Sequence, residues 1–446
     1  MEVIALILFL SIFILILYGY PVAFTLGGIS MIYAICFLDP SSFSVLPLRI
    51  MPIMSSYILL AVPLFIFMGI MLEKSGLAES LLETMAMLFG KVRGGLAISV
   101  VIVGALLAAS TGIVGATVIT MGLISLPTML KRGYKPELAT GTIASSGTLG
   151  QIIPPSVVLV LLGSVLNVSV GDLFKAAMLP GLLLVLAYIL YIIIVSKLNP
   201  DWAPAIPEEE IKAFRANNFW PKVIKAFVLP LLLIVAVLGS ILNGNATPTE
   251  AAAIGALGAT ILTVIQGKLN LQKLQEVMRE TTHLTCMVFI ILLGATTFTF
   301  VFREMGGDTY LINLIESSNL SPLVFLVLVM LVVFVAGFFI DFIEIIFIIV
   351  PVVAPIFAAY DATAFSPIFT SSNMLLIWVG ILLAMNLQTS FLSPPFGFSL
   401  FYLKGVAPPS VTTGHLYRGI IPFVLIQLIF LFLIIFWPNL IFFWLK

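Results

Sequence analysis

Ala144-Ser145-Ser146-Gly147-Thr148-Leu149-Gly150-Gln151-Ile152-Ile153-Pro154-Pro155-Ser156 lies inside a long apolar run, at the depth where an uninterrupted membrane helix would be expected. The stretch is dense in hydroxyls and glycines and ends on a proline pair. Proline has no backbone N–H and its ring collides with the carbonyl four residues back, so Pro154-Pro155 breaks a helix here. A broken helix leaves carbonyls and N–H groups without partners. In lipid, such backbone is tolerated only where it is buried in protein or lines a watery cavity. The stretch reads either as a plain proline kink, which membrane helices tolerate, or as one wall of a binding site.

The chain around it is 446 residues long, 61% hydrophobic and 9% charged, with a formal net charge of zero. A soluble domain carries about 25% charged residues, so the fold class is an all-α polytopic membrane protein in a lipid bilayer. Zero net charge gives no electrostatic footprint for nucleic acid. Cys36 and Cys286 lie in apolar runs and suggest neither a disulfide frame nor a metal site, and His283 and His415 fall at expected cytoplasmic helix ends. The start, Met1-Glu2-Val3, lacks the basic segment of a cleaved signal, so the first apolar run is expected to be a retained helix. There is no GxxxxGK[ST] phosphate loop and no large hydrophilic segment, so an ATP-hydrolysing unit would have to be another chain.

A spanning helix needs ~20 apolar residues. Spans are expected near 3–19, 22–37, 57–72, 138–165, 174–196, 226–242, 249–266, 284–302, 373–403 and 419–440. Two regions, 95–130 and 322–357, behave differently. Lys91 and Arg93 precede the first, and Lys131, Arg132 and Lys135 follow it. Cytoplasmic segments concentrate Lys and Arg, so both flanks belong inside and 95–130 is a re-entrant hairpin. The same alternation makes 322–357 a hairpin from the outer face. It sorts 16 of the 20 basic residues inside, leaving Arg49, Lys175, Arg303 and Lys446 outside with both termini. Segments 73–94 and 303–319 have the mixed composition of interfacial amphipathic helices.

Ile152-Ile153-Pro154-Pro155-Ser156 has a counterpart in Leu392-Ser393-Pro394-Pro395-Phe396, and Gly171-Asp172-Leu173-Phe174-Lys175 one in Gly414-His415-Leu416-Tyr417-Arg418. Each proline pair follows a hairpin, and the hairpins come from opposite faces. This is an inverted-topology repeat, an architecture that puts substrate and ion sites where broken helices meet near the midplane. The expected organisation is 1–94 as scaffold and interfacial helix, 95–197 as the first hairpin and broken helix, and 198–225 as a cytoplasmic linker. Residues 226–319 then form the second scaffold, and 320–446 the second hairpin, second broken helix and last helix.

Four elements are expected to converge. They are the first hairpin tip (Ser110, Thr111, Gly112), the first broken helix (Ser145, Ser146, Thr148, Pro154, Pro155), the second hairpin tip (Asp341, Glu344) and the second broken helix (Asn386, Gln388, Thr389, Ser393, Pro394). Sodium is a hard cation that wants several oxygens, and hydroxyls with freed carbonyls supply them without a strong fixed charge. Ser145, Thr148, Asp341 and Thr389 are the candidate Na⁺ ligands. A half-helix N-terminus presents free N–H groups and partial positive charge to a carboxylate. The same small hydroxyl residues also suit plain helix–helix packing. Asp341 interrupts a nearly uncharged run, and an intramembrane carboxylate costs at least ~2.5 kcal/mol, which makes it functional by default. It can ligate a cation, carry a proton or close a gate; a tip that simply reaches water is the alternative.

With these elements placed, the chain resembles, over nearly its whole length, the large membrane subunit (DctM-like) of tripartite ATP-independent periplasmic (TRAP) transporters. The resemblance rests on Gly133-Tyr134, Ala144-Ser145-Ser146-Gly147-Thr148-Leu149-Gly150 with Ile153-Pro154-Pro155-Ser156, Gly337 with Asp341 and Pro351, and Ser393-Pro394-Pro395-Phe396-Gly397. It implies a Na⁺-coupled importer of small organic acids in the bacterial inner membrane, with an elevator-type moving domain and no cofactor beyond the coupling ion. It also implies two partners, a small four-helix membrane subunit (DctQ-like) and a periplasmic substrate-binding protein. The first tip departs from many members in carrying no acid after Ser110-Thr111-Gly112. The Asp341-Phe342-Ile343-Glu344-Ile345 run looks like the branch linked to 2-oxo and 2-hydroxy monocarboxylates.

Two other functions compete. A self-sufficient carboxylate symporter or antiporter would need no binding protein. An intramembrane hydrolase of aspartyl type would need a second intramembrane Asp and one of metalloprotease type an HExxH motif, and the sequence has neither; for a serine type, no serine sits beside an intramembrane His.

Overall fold

The computed structural model describes residues 2–112, 114–216, 219–318, 320–395 and 397–443, and the side chains of residues 110, 111, 215, 315 and 316 lie outside the described residues. Every regular element described is helical. Seven of the described helices are long and apolar enough to cross a membrane.

The chain runs twice through one order of elements. The first pass is Glu2–Leu17, Val22–Phe37, Ala61–Lys74, the short helix Leu77–Phe89, a hairpin (Gly95–Thr111 and Val114–Lys131), a broken helix (Pro136–Thr148 and Val157–Leu166) and Val170–Leu198. The second is Phe219–Leu242, Pro248–Ile265, Leu271–Glu304, Gly307–Ser317, a hairpin (Pro322–Ala336, then Phe342–Ile348 and Val350–Ala359), a broken helix (Ser372–Leu392 and Phe398–Val406) and Thr413–Phe436. The two passes interlock. Val22–Phe37 packs on Leu271–Glu304, Pro248–Ile265 packs on Ala61–Lys74, and the two inner helices of this scaffold also touch each other.

Contacts at the two ends of the bundle establish the hairpins. Lys74 pairs with Glu280 at 2.8 Å, and Arg132 with Glu210 at 2.8 Å. Both feet of the first hairpin are strapped by one segment: Gly94 N–H donates to the Ala203 carbonyl, Ile206 N–H to the Gly90 carbonyl, and Lys135 N–H to the Trp202 carbonyl. Lys135 also sits over the Trp202 ring. Residues 95–131 therefore leave and return at one end. At the opposite end Phe325 meets Phe357, with ring centroids 5.0 Å apart, which closes the feet of the second hairpin. Glu2 lies beside Gly306 and Phe442 against Phe369 at this same end, so the first and last described helices bring these residues to the end that holds Arg303.

Several boundaries differ from expectation. The segment expected as linker is fastened down rather than free, because Ala203, Ile206 and Ile211 are buried and its backbone supplies the hairpin's missing partners. The following helix begins at Phe219, inside that segment, since Phe219 and Val223 bury an apolar stripe. Leu271–Glu304 begins well before the expected span and is 34 residues long, about 51 Å at 1.5 Å per residue, so it outruns the hydrocarbon layer. The unanticipated short helix Leu46–Met54 carries Arg49. The expected interfacial segments hold Leu77–Phe89, bent 63° from Ala61–Lys74 and burying Leu77, Leu81, Leu82 and Met85, and Gly307–Ser317.

The tightest crossing is between Pro136–Thr148 and Thr413–Phe436. A Cβ on Gly141 would overlap the Gly419 carbonyl, and one on Gly419 would overlap the Glu137 carbonyl. Overpacking of this kind costs roughly 1–3 kcal/mol or more. Gly419→Val is expected to lower the melting temperature of the detergent-purified protein sharply. Gly405→Ala, where nothing lies within 4 Å, is expected to leave it unchanged. Equal melting of the two variants would refute this crossing.

Candidate functional site

The first broken helix stops as a regular α-helix at Thr148, tightens into one short turn at Leu149–Gln151, and resumes at Val157. The second stops at Leu392 and resumes at Phe398. Both proline–proline bonds are cis. Neither Pro154 nor Pro155 can donate to the carbonyls of Gly150 and Gln151. The Ser156 hydroxyl takes over one of these, donating to the Gln151 carbonyl at 2.9 Å. At the second break the Tyr417 hydroxyl donates to the Pro395 carbonyl at 2.7 Å.

The hairpins cover these breaks in a crossed pattern. Each incoming arm packs on the first half of its own broken helix, Gly95–Thr111 on Pro136–Thr148 and Pro322–Ala336 on Ser372–Leu392. A serine of each broken helix sits on a glycine of its own hairpin, Ser146 on Gly104 and Ser390 on Gly337. The second halves then change partners. Val157–Leu166 packs on the outgoing arm of the second hairpin, and Phe398–Val406 on Val114–Lys131 of the first. Ser372–Leu392 also packs on Leu149–Gln151, so the two walls meet at the breaks.

Within this arrangement Gly112 forms the first tip, in left-handed conformation (φ +62°) and facing the start of Val157–Leu166. The side chains of Ser110 and Thr111, expected here as ligands, lie outside the described residues. Ser145, Ser146 and Thr148 are fully buried. The Ser146 hydroxyl donates to the Ile143 carbonyl at 3.0 Å and that of Thr148 to the Ser145 carbonyl at 2.9 Å. On the second wall Thr389 donates to the Met385 carbonyl at 2.8 Å and Ser393 to the Thr389 carbonyl at 2.9 Å. A hydroxyl whose proton is given to its own helix presents only lone pairs outward, the form a cation can use. Asn386 instead donates its amide to the Met330 carbonyl at 2.7 Å, fastening the second broken helix to its hairpin.

Asp341 and Glu344 form a capping box. The Asp341 carboxylate caps Phe342–Ile348, accepting from the Phe342 N–H at 2.7 Å, and Glu344 accepts from the Asp341 N–H at 3.3 Å. The pair thus has a structural task that the sequence reading did not assign. The tip joins the second break through Phe342 against Phe391 (5.7 Å between centroids) and Phe391 stacked on Phe398 (5.1 Å). Tyr402 lies within electrostatic range of Asp341, and its ring packs over Gly115 of the first hairpin, so both hairpins reach the second break.

Sequence reasoning passed over three residues that the structure singles out. Gln151 is fully buried at the first break, and neither amide atom has a hydrogen-bond partner. Ser399, at the start of the resumed second helix, is likewise buried and unpartnered, as is Thr142 on the first wall. Among the expected residues, Gln388 faces the Tyr188 hydroxyl without a hydrogen bond of good geometry, and the Ser145 hydroxyl is unpartnered. Each unsatisfied buried polar group costs about 1–3 kcal/mol. Such groups are rare in native interiors and ask for an explanation such as an ion or water. The signal available for Gln151 was its type alone, an amide inside an apolar run beside Pro154-Pro155.

Gln151→Leu and Gln388→Leu are expected to keep or raise the melting temperature of the purified protein while reducing its function severely. A clear loss of stability would show instead that these amides hold the fold.

The chain matches the family described as "Tripartite ATP-independent periplasmic transporter, DctM component" over residues 9–440. It is 32% identical, over 92% of its length and 91% of the relative's, to the C4-dicarboxylate TRAP transporter large permease protein DctM of Pseudomonas aeruginosa. It is 28% identical, over 94% and 93%, to the sialic acid TRAP transporter large permease protein SiaM of Vibrio cholerae. The fold is that of the Alcanivorax borkumensis YdaH transporter, with a TM-score of 0.62 at 13% identity, covering 96% of this chain and 98% of that one.

Proposed function

Because the chain belongs to the DctM-component family of TRAP transporters, as a large permease subunit spanning the membrane many times, we propose that it drives Na⁺-coupled import of a small organic acid. The observation that carries this reading is the pair of crossed breaks, where buried polar groups without partners collect in a chain that is 61% hydrophobic. Hydroxyls turned lone-pair outward and freed carbonyls suit Na⁺. The amides of Gln151 and Gln388 suit a carboxylate or a neighbouring oxo or hydroxy group. The N-termini of Val157–Leu166 and Phe398–Val406, both at the breaks, add partial positive charge beside them.

Substrate reaches the chain from a soluble periplasmic binding protein, and a small four-helix membrane subunit stands beside it, as the family implies. Relatives bear names for C4-dicarboxylates and sialic acid. The Asp341-Phe342-Ile343-Glu344 run favours a 2-oxo or 2-hydroxy monocarboxylate here. The crossed hairpins and broken helices move as one body against the scaffold, as an elevator. The Lys74 end, rich in Lys and Arg, faces the cytoplasm of a bacterial inner membrane, and the Arg303 end, with both termini, faces the periplasm. The function is transport rather than catalysis.

The test is uptake of labelled 2-oxo, 2-hydroxy and dicarboxylic acids into proteoliposomes holding this chain and its small subunit, with and without binding protein, under an inward Na⁺ gradient. Uptake is expected only with both the gradient and the binding protein. Uptake by the chain alone would overturn the tripartite reading. Asp341→Asn refines the assay, because Asn caps a helix about as well as Asp. The hairpin tip is expected to stay folded while Na⁺-driven uptake falls strongly. Near-normal uptake would remove the Asp341 charge from the mechanism.

A further inference from the structure

The two ends of the bundle are not alike. At the Lys74 end the scaffold touches the first hairpin: Glu73 accepts from the Thr120 hydroxyl at 2.8 Å, and Lys74 pairs with Glu280. Arg303 and Glu304 hold the matching place in the second repeat, ending Leu271–Glu304 as Glu73 and Lys74 end Ala61–Lys74. There a cavity of about 490 Å³ opens between the scaffold and the second hairpin, beside the contact of Leu271–Glu304 with Phe342–Ile348.

Its scaffold wall carries Arg49 and Arg303, with Thr299 one turn inward and Leu292 deeper. Its other wall is Ser164 of the first broken helix with Phe347 and Pro351 of the second hairpin. No residue of either break lines it, so it is distinct from the site above. Arg49 has no ion pair among the described residues, and Arg303 only approaches Asp308, at 4.0 Å through Nε. Glu304 is the sole acid in the lining and Asp308 lies against Arg303, which leaves Arg49 as the guanidinium without an ion pair among the described residues. Both arginines belong to the four basic residues that the charge sorting left on the outer face.

We propose that this cavity is an anion vestibule. It receives a small organic carboxylate, head group between Arg49 and Arg303 and carbon chain against Phe347 and Leu292, before the anion reaches the breaks. Guanidinium forks match the two oxygens of a carboxylate. Low-dielectric walls strengthen the pull of a guanidinium on an anion at a cavity mouth. The volume lies in the range of small-molecule sites. The proposal rests on the carboxylate-transport reading, but its test runs without uptake.

A variant with Cys36→Ser, Cys286→Ser and Thr299→Cys is purified in detergent. It is reacted with an anionic (sulfonatoethyl) and a cationic (trimethylammonioethyl) methanethiosulfonate of similar size. Relative to free cysteine, the anionic reagent is expected to react roughly ten-fold faster or more. Adding Arg49→Gln and Arg303→Gln is expected to abolish that preference, and millimolar pyruvate, 2-hydroxybutyrate or succinate to slow the labelling. Ala354→Cys on the opposite wall serves as a second reporter should Thr299→Cys not elute as a single species. A charge preference equal to that of free cysteine, one unaffected by the arginine changes, or labelling that none of the three acids slows would overturn the vestibule. Normal Na⁺-driven uptake without reagent preference would sink the vestibule and leave the transport reading standing. Preference and protection without Na⁺-driven uptake would do the reverse.

Discussion

Lipid offers no hydrogen bonds, and everything central in this fold follows from breaking two helices in such a solvent. Backbone at Pro154-Pro155 and Pro394-Pro395 must be sheathed in protein, because each stranded polar group in hydrocarbon costs several kcal/mol. Each hairpin supplies that sheath. It enters and leaves at one end, so its tip can reach a break without spanning the bundle. Glycines at Gly104 and Gly337 let the covering backbone come down onto Ser146 and Ser390. Because the second halves of the broken helices change partners, each repeat finishes covering the other's break. The two hairpins and two broken helices therefore form a single packed body, with the paired scaffold helices outside it.

Inside that body the polar groups divide by how they are satisfied. Ser146, Thr148, Thr389, Ser390 and Ser393 give their protons to their own helices, and Asn386 fastens a hairpin. Gln151 and Ser145 remain unpaired although fully buried, and Gln388 faces the Tyr188 hydroxyl without a hydrogen bond of good geometry. Asp341 belongs to both worlds: its carboxylate starts a helix at the second tip, and it lies within electrostatic range of Tyr402 on the resumed second helix. A cap and a ligand are compatible roles for one carboxylate, since an ionised group has about four acceptor positions.

A two-fold repeat does not give two equal faces. The Glu73–Thr120 contact joins scaffold to hairpin at the Lys74 end, while the corresponding place at the Arg303 end is open. At the Arg303 end the scaffold still touches the second hairpin, through Leu271–Glu304 on Phe342–Ile348, but beside a cavity rather than a polar contact. Protein interiors are packed densely enough that such a difference is a discrete arrangement rather than a gradual one.

Much of this protein was legible in its sequence. Hydrophobic length and the sorting of Lys and Arg are one-dimensional consequences of membrane thickness and surface charge. They yielded the membrane class, the two-fold repeat and the opposed hairpins. Proline pairs located the breaks because a missing N–H acts locally, whatever surrounds it. What only the tertiary structure decided depends on partners distant in the chain. Residues 199–206 strap the first hairpin because its feet expose backbone groups that they happen to reach. Asn386 is tied down by the Met330 carbonyl and Gln151 is not tied at all, a distinction invisible in residue type. The crossing of the broken helices onto opposite hairpins, and the cavity between Arg49 and Phe347, exist only where two repeats meet. Hydrogen-bond satisfaction and empty space are properties of that assembly, so no local pattern in the chain encodes them.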